Sequence, residues 1–119
     1  MRALLSDLEN NSFNPLDLIE DVVVSNDWPH NRADKDTLYV EVGGEWCDYQ
    51  LTLAWSNDHK LLQYTWTYNI KVPLKKYNSL YSLLNKINLN ISCGHFELWI
   101  DEGYLMYRNS LISFDYTSI

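Results

Sequence analysis

Residues 36–71 contain successive runs in which apolar and polar side chains alternate with a period of two, the pattern of an antiparallel sheet with one buried face. "DTLYVEVGGEWCDYQLTLAW" (36–55) reads as a hairpin around Gly43-Gly44, residues that tolerate the positive φ of a tight turn. A two-residue turn there pairs Val42 with Glu45 and sets Val40 opposite Cys47 and Leu38 opposite Tyr49. Leu38, Val40, Val42, Cys47, Tyr49, Leu51, Leu53 and Trp55 then share one face, and Asp48, Gln50 and Thr52 the other. "LLQYTWTYNIKV" (61–72) alternates in the same way, with Gln63, Thr65, Thr67 and Asn69 on its polar side. A loop over 56–59 places Leu53 opposite Leu62, Leu51 opposite Tyr64 and Tyr49 opposite Trp66. One side of this meander is polar, so the other needs cover.

Two helices are placed to give it. "NPLDLIEDVVVSNDWP" (14–29) has Asn14 as a candidate N-cap, Pro15 at the first helical position and acidic Asp17, Glu20 and Asp21 near the positive end of the dipole. Leu16, Ile19, Val22 and Val23 form its apolar face, and Pro29 stops it. After Pro73, Tyr77, Leu80, Leu84, Ile87 and Ile91 recur at helical spacing, giving a second helix that runs to about Ile91. Residues 1–12, with Leu4, Leu5 and Leu8 as their apolar cluster, read as a short helix or a loose arm.

"GHFELWI" (94–100) and "YLMYRNSLI" (104–112) form a second hairpin across Asp101-Glu102-Gly103. An even-length loop gathers Phe96, Leu98, Ile100, Leu105 and Tyr107 on one face and sets Glu97 opposite Arg108 and Trp99 opposite Met106. An exposed Glu97–Arg108 pair contributes about 0–1 kcal/mol.

That hairpin also carries the residues that raise the question of chemistry, because Cys93, His95 and Glu97 fall within five positions. A zinc site needs four ligands, and the distant candidates are Cys47 on a buried strand face and His30 and His59 in loops. No paired C-x-x-C or H-E-x-x-H spacing occurs. A nucleophilic cysteine needs an oriented base and an oxyanion hole, whereas Cys93 follows a helix C-terminus, where the dipole disfavours thiolate. Asp101 and Glu102 lie at a hairpin tip in reach of water, poor ground for general-acid work. "VGGEW" precedes a strand and is no phosphate cradle. These residues predict no catalytic site, no metal and no cofactor.

The formal charge of −7 and pI near 4.7 argue against nucleic acid and anionic membrane as partners. The charge is uneven: residues 1–58 hold 12 acidic against 3 basic side chains, and residues 59–119 hold 4 against 6. Such charge ordinarily serves solubility, and the alternative reading is that opposite halves of two copies attract one another. The 2 cysteines do not make a disulfide scaffold. No apolar stretch is long enough to span a membrane and "MRALLSDLENNS" lacks a signal-peptide core, so a cytoplasmic location is expected.

Segments 14–29, "VEVGGEWCDYQLTLAW" (40–55) and "GHFELWIDEGYLMYR" (94–108) together resemble the YbjN-domain family of bacterial proteins, its alphaproteobacterial branch above all, over residues 13–112. The resemblance implies an α+β domain similar to type III secretion chaperones, in a non-enzymatic role described as sensory transduction regulation, with no catalytic residue to carry over. It also implies a further helix after the last hairpin, and the chain stops at Ile119, so that helix is expected to be lacking and part of the Leu38/Tyr49/Trp66 face to want cover.

The expectation is therefore an α+β fold, an antiparallel sheet made of a three-strand meander plus a hairpin, in the order α-β-β-β-α-β-β. Residues 1–12 form an arm and 13–119 a single domain. Its expected role is a cytoplasmic protein-binding module, chaperone-like or regulatory. The candidate contacts are Tyr49, Trp55, Tyr64, Trp66 and Trp99, and the expected mode is strand addition at a sheet edge. The expected partners are another protein and a second copy in a homodimer through the second helix or an open edge. The alternatives are a shortened family member whose main property is homodimerisation, and a metal-binding or enzymatic protein using Cys93, His95 and Glu97.

Overall fold

The computed structural model describes residues 13–112. The expected arm over 1–12, and whatever follows Ile112, including the question of a final helix, lie outside the described residues.

The first helix, α1 (Pro15–Ser25), begins as its sequence dictates. Asn14 is extended, its side-chain oxygen accepts from the Leu16 N–H at 2.9 Å, and Pro15 takes the first helical position. The Asn14 amide also donates to the Lys35 carbonyl at 2.7 Å, tying the cap to the sheet. Leu16 and Val23 are buried and Ile19 packs against the core, but Val22 is 55% exposed. At about 100° per residue, Val22 lies on the flank of the stripe defined by 16, 19 and 23. The helix ends at Ser25, where the Asn26 N–H bonds to the last carbonyls, four residues before Pro29.

Among the described residues six strands follow, not five. β1 (His30–Asp34), β2 (Thr37–Gly43), β3 (Asp48–Ser56), β4 (Leu61–Lys71), β5 (His95–Trp99) and β6 (Tyr104–Ile112) form one antiparallel sheet in the order β1-β2-β3-β4-β6-β5. The element order is thus α-β-β-β-β-α-β-β, with β1 the addition to the expected order. "HNRAD" has no apolar alternation because β1 is a sheet edge held by backbone pairing to β2, and His30 belongs to this strand rather than to a loop.

The faces match expectation while the registers differ by even steps. Leu38 pairs with Leu53, Val40 with Leu51 and Val42 with Tyr49, four positions along from the two-residue-turn pairing. Gly43 instead faces Asp48, and residues 44–47 form a loop with Trp46 85% exposed and Cys47 half-buried. The longer loop sets apolar residues opposite one another beneath α1 and leaves Trp46 out of the ladder. β3 and β4 are offset by two: Leu53 faces Tyr64, Leu51 faces Trp66 and Tyr49 faces Tyr68. In the second hairpin Trp99 faces Tyr104, Glu97 faces Met106 and Arg108 faces His95, again two from expectation.

The core lies between α1 and strands β2, β3 and β4. Leu16, Val23, Leu38, Val40, Leu53, Trp55 and Leu62 are buried there. Each such side chain stabilises the fold by about 1.5–3 kcal/mol through its removal from water.

A short 3-10 turn (Leu74–Lys76) leads into α2 (Tyr77–Asn88), which ends in a turn at Leu89-Asn90, ahead of Ile91. α2 carries the chain from β4 to the far edge strand β5, and β6 then returns between them. Leu84 is buried, the Tyr77 hydroxyl donates to the Ile100 carbonyl at 3.0 Å, and the Asn88 side chain bonds to Phe96 of β5.

Candidate functional site

The pleat divides the candidate contact residues between two faces. Tyr49, Tyr64 and Trp66 are half-buried on the face that carries α1, and Trp55 is a core residue on the same face at 6% exposure. Trp99 lies on the opposite face and is 47% exposed.

On the first face the rings form a continuous strip. Tyr49 meets Trp66 edge-on at 6.2 Å, diagonally rather than directly opposite, and meets Tyr68 at 5.3 Å. Tyr68 stacks on Phe96 at 6.4 Å, and Phe96 meets Tyr107 at 5.2 Å. The Tyr64 hydroxyl accepts from the Asn109 amide at 3.1 Å. Desolvation raises the Tyr49 phenol above its ordinary range, with Cys47 and then Glu45 adding to the effect. Tyr68 is raised by desolvation first, then by Tyr49, Cys47 and Tyr107.

Cys93, His95 and Glu97 do not assemble into a nucleophilic or metal site. Cys93 is exposed, and its backbone carbonyl accepts from the Tyr107 hydroxyl at 2.8 Å. Gly94 follows at φ +70, which bends the chain before β5 starts, and a Cβ there would run into the same hydroxyl. His95 Nε2 contacts Glu97, whose second carboxylate oxygen lies 3.5 Å from Arg108 Nη1. The expected Glu97–Arg108 pair is made, but diagonally. Cys47 and His59 lie in separate loops, and His30 sits 3.9 Å from Glu20 beside α1. Among the described residues no group of three His, Cys, Asp or Glu side chains could hold a metal ion.

The polar face carries a site that pattern reading missed. The cross-strand pairs put Glu41, Gln50, Thr67 and Met106 in one row and Gly43 beside Asp48 and Tyr104 beside Trp99 in the next. All of these but Met106, together with Pro29, Asn69, Val42, Tyr49 and Tyr68, line an open cavity of about 480 Å3. Its floor is irregular: β4 and β6 pair at Thr67–Met106 and next at Lys71–Tyr104, so β4 bulges between them. Bulges bend a strand and re-aim its side chains, and they recur beside functional sites. A second hollow on this face is lined by Thr52, Gln63, Thr65, His95, Arg108 and Ser110 among others. The only sequence signal for the first cavity was a glycine where β2 meets it.

Among the described residues no helix is long and apolar enough to cross a membrane. No curated protein and no solved structure matches the chain. The model of the YbjN family, described as "putative bacterial sensory transduction regulator", matches residues 15–117, and the chain belongs to that family.

Proposed function

We propose that this chain is a non-enzymatic, cytoplasmic protein-binding module of chaperone-like or regulatory type, with residues 13–119 as its single domain and 1–12 as an arm. The family's description, which is of a regulator and not of an enzyme, supports the reading. The observation that carries it is the aromatic strip. Tyr49, Trp66, Tyr68, Phe96 and Tyr107 run across four strands, and every one of them retains partial exposure. Aromatic rings of this kind are enriched at protein contacts because they bury a large area at little entropic cost.

In this reading Tyr49, Tyr64 and Trp66 contact the partner directly and Trp55 supports them from the core. Trp99 presents a separate contact on the other face. Strand addition would occur at β1, because the Phe96 backbone on the β5 edge is already engaged by Asn88. The partner is a protein, not nucleic acid or membrane.

Homodimerisation is the second reading. It is favoured by the strand order, which sets the acidic α1–β3 part of the chain at one side of the sheet and the Lys-bearing β4–α2 part toward the other. Recovery of a tagged copy from its host under mild cross-linking, followed by mass spectrometry, tests both. A reproducible foreign partner cross-linked near Trp66 supports the module. Recovery of only its own copies replaces it with the homodimer.

A further inference from the structure

The cavity on the polar face has a composition that selects its ligand. Glu41 and Asp48 stand on one side of it and Trp99 and Tyr104 on the other, over a floor that includes Gln50 and Thr67. Among the described residues no Lys, Arg or His side chain lines it. Neither carboxylate takes part in an ion pair with another described residue, although Glu20, Asp17 and Glu97 all do. Asp48 on β3 and Tyr104 on β6 stand two strand spacings, roughly 10 Å, apart, with β4 between them as the floor of the gap and Glu41 and Trp99 one strand further out on either side. A gap of that width admits a flat cationic group with one side against an aromatic ring and the other toward a carboxylate.

The geometry points to a binding site for an organic cation, a guanidinium or primary ammonium on a short aliphatic stem. Carboxylates and aromatic faces both attract positive charge, the latter through the ring quadrupole, while a neutral or anionic body gains from neither. The cavity, of about 480 Å3 and open to solvent, has room for such a group. Gly43 keeps the β2 side open. A Cβ there would meet only Asp48 Oδ1 at 3.8 Å, which is ordinary contact, so a bulky side chain can be introduced without backbone strain. Two sources carry this chemistry: a free small amine, or an arginine or lysine side chain of a protein.

Two-dimensional amide NMR of the full chain, titrated with propylguanidinium, tests the assignment, with isosteric but neutral propylurea as control. Saturable shifts at millimolar concentration are expected for the Trp99 indole N–H and for the amides of Gly43 and Asp48, with none from propylurea. Glu41→Gln and Asp48→Asn should each weaken binding about threefold, and the two together about tenfold, at low salt. Gly43→Leu should abolish the shifts while leaving the thermal transition close to that of the parent. Acetyl-Gly-Arg-Gly-amide binding more tightly than propylguanidinium assigns the site to a protein side chain, and the opposite order to a free amine. Equal responses to propylguanidinium and propylurea, no response to either, or unchanged affinity in the double carboxamide variant would overturn the proposal.

Discussion

The side-chain amide of Asn88 pairs with both backbone groups of Phe96, donating to its carbonyl at 3.0 Å and accepting from its N–H at 2.8 Å. It thereby does for edge strand β5 what a neighbouring strand would do, and it fixes the C-terminal end of α2 against the sheet. Asn88→Ala removes two part-buried hydrogen bonds and should cost about 2 kcal/mol in urea unfolding. Asn88→Asp keeps the acceptor, loses the donor, and should fall between Ala and the parent.

Arg32 divides its guanidinium between Asp17 Oδ1 at 3.0 Å and Glu20 Oε1 at 3.1 Å, joining edge strand β1 to the first turns of α1. The two carboxylates are not equivalent, because the Asp17 side chain is 69% exposed and that of Glu20 only 30%. Glu20→Gln should therefore destabilise by about 1 kcal/mol and Asp17→Asn by only a few tenths, roughly, with both differences shrinking in high salt. Equal effects in chemical denaturation would contradict this division.

Leu38 has no exposure at all, beneath α1, while Val22 points largely to water. Leu38→Ala should cost about 3 kcal/mol through lost transfer energy and the cavity left behind. Val22→Ala should stay within about 0.5 kcal/mol, as surface changes do. Thermal and urea transitions of the two variants measure the contrast directly.

The phenols of Tyr49 and Tyr68 are held above their ordinary range, chiefly by desolvation. Ultraviolet difference titration should show Tyr49 and Tyr68 ionising above the ordinary tyrosine range. The folded state holds these protons more tightly than the unfolded chain, so the associated stability is complete below the ordinary tyrosine pKa. It is lost as alkaline pH rises through the raised values. Cys47→Ser should bring Tyr49 partway back, because the Cys47 side chain acts on it both electrostatically and by hydrogen bond.

The alternating runs made the sheet faces legible residue by residue: Leu38, Val40, Leu53 and Leu62 are all core, and Gln50, Thr52, Thr65 and Thr67 all lie on the other face. The same alternation is blind to register. A slip of two or four positions leaves every side chain on its face, so Leu38 opposite Tyr49 and Leu38 opposite Leu53 satisfy the pattern equally. Loop length decides between them, and "GGEWCD" does not announce a four-residue loop. β1 was hidden because an edge strand of His, Asn, Arg, Ala and Asp buries little and is held mainly by backbone pairing. Helix α1 was legible from Asn14 and Pro15, since its cap chemistry is local. The cavity was not, because Glu41 and Trp99 come together only through the strand order, which no local pattern encodes.

The position of β6 between β4 and β5 has a consequence for synthesis. As the chain leaves the ribosome, β1 to β4 can pair in sequence, yet the outer edge of β4, with Tyr64, Trp66 and Tyr68, has no neighbour until Tyr104–Ile112 emerges. For that interval the nascent protein presents a long, aromatic, unpaired strand, the kind of edge that recruits other chains. Its own last described strand must arrive before a stranger's does.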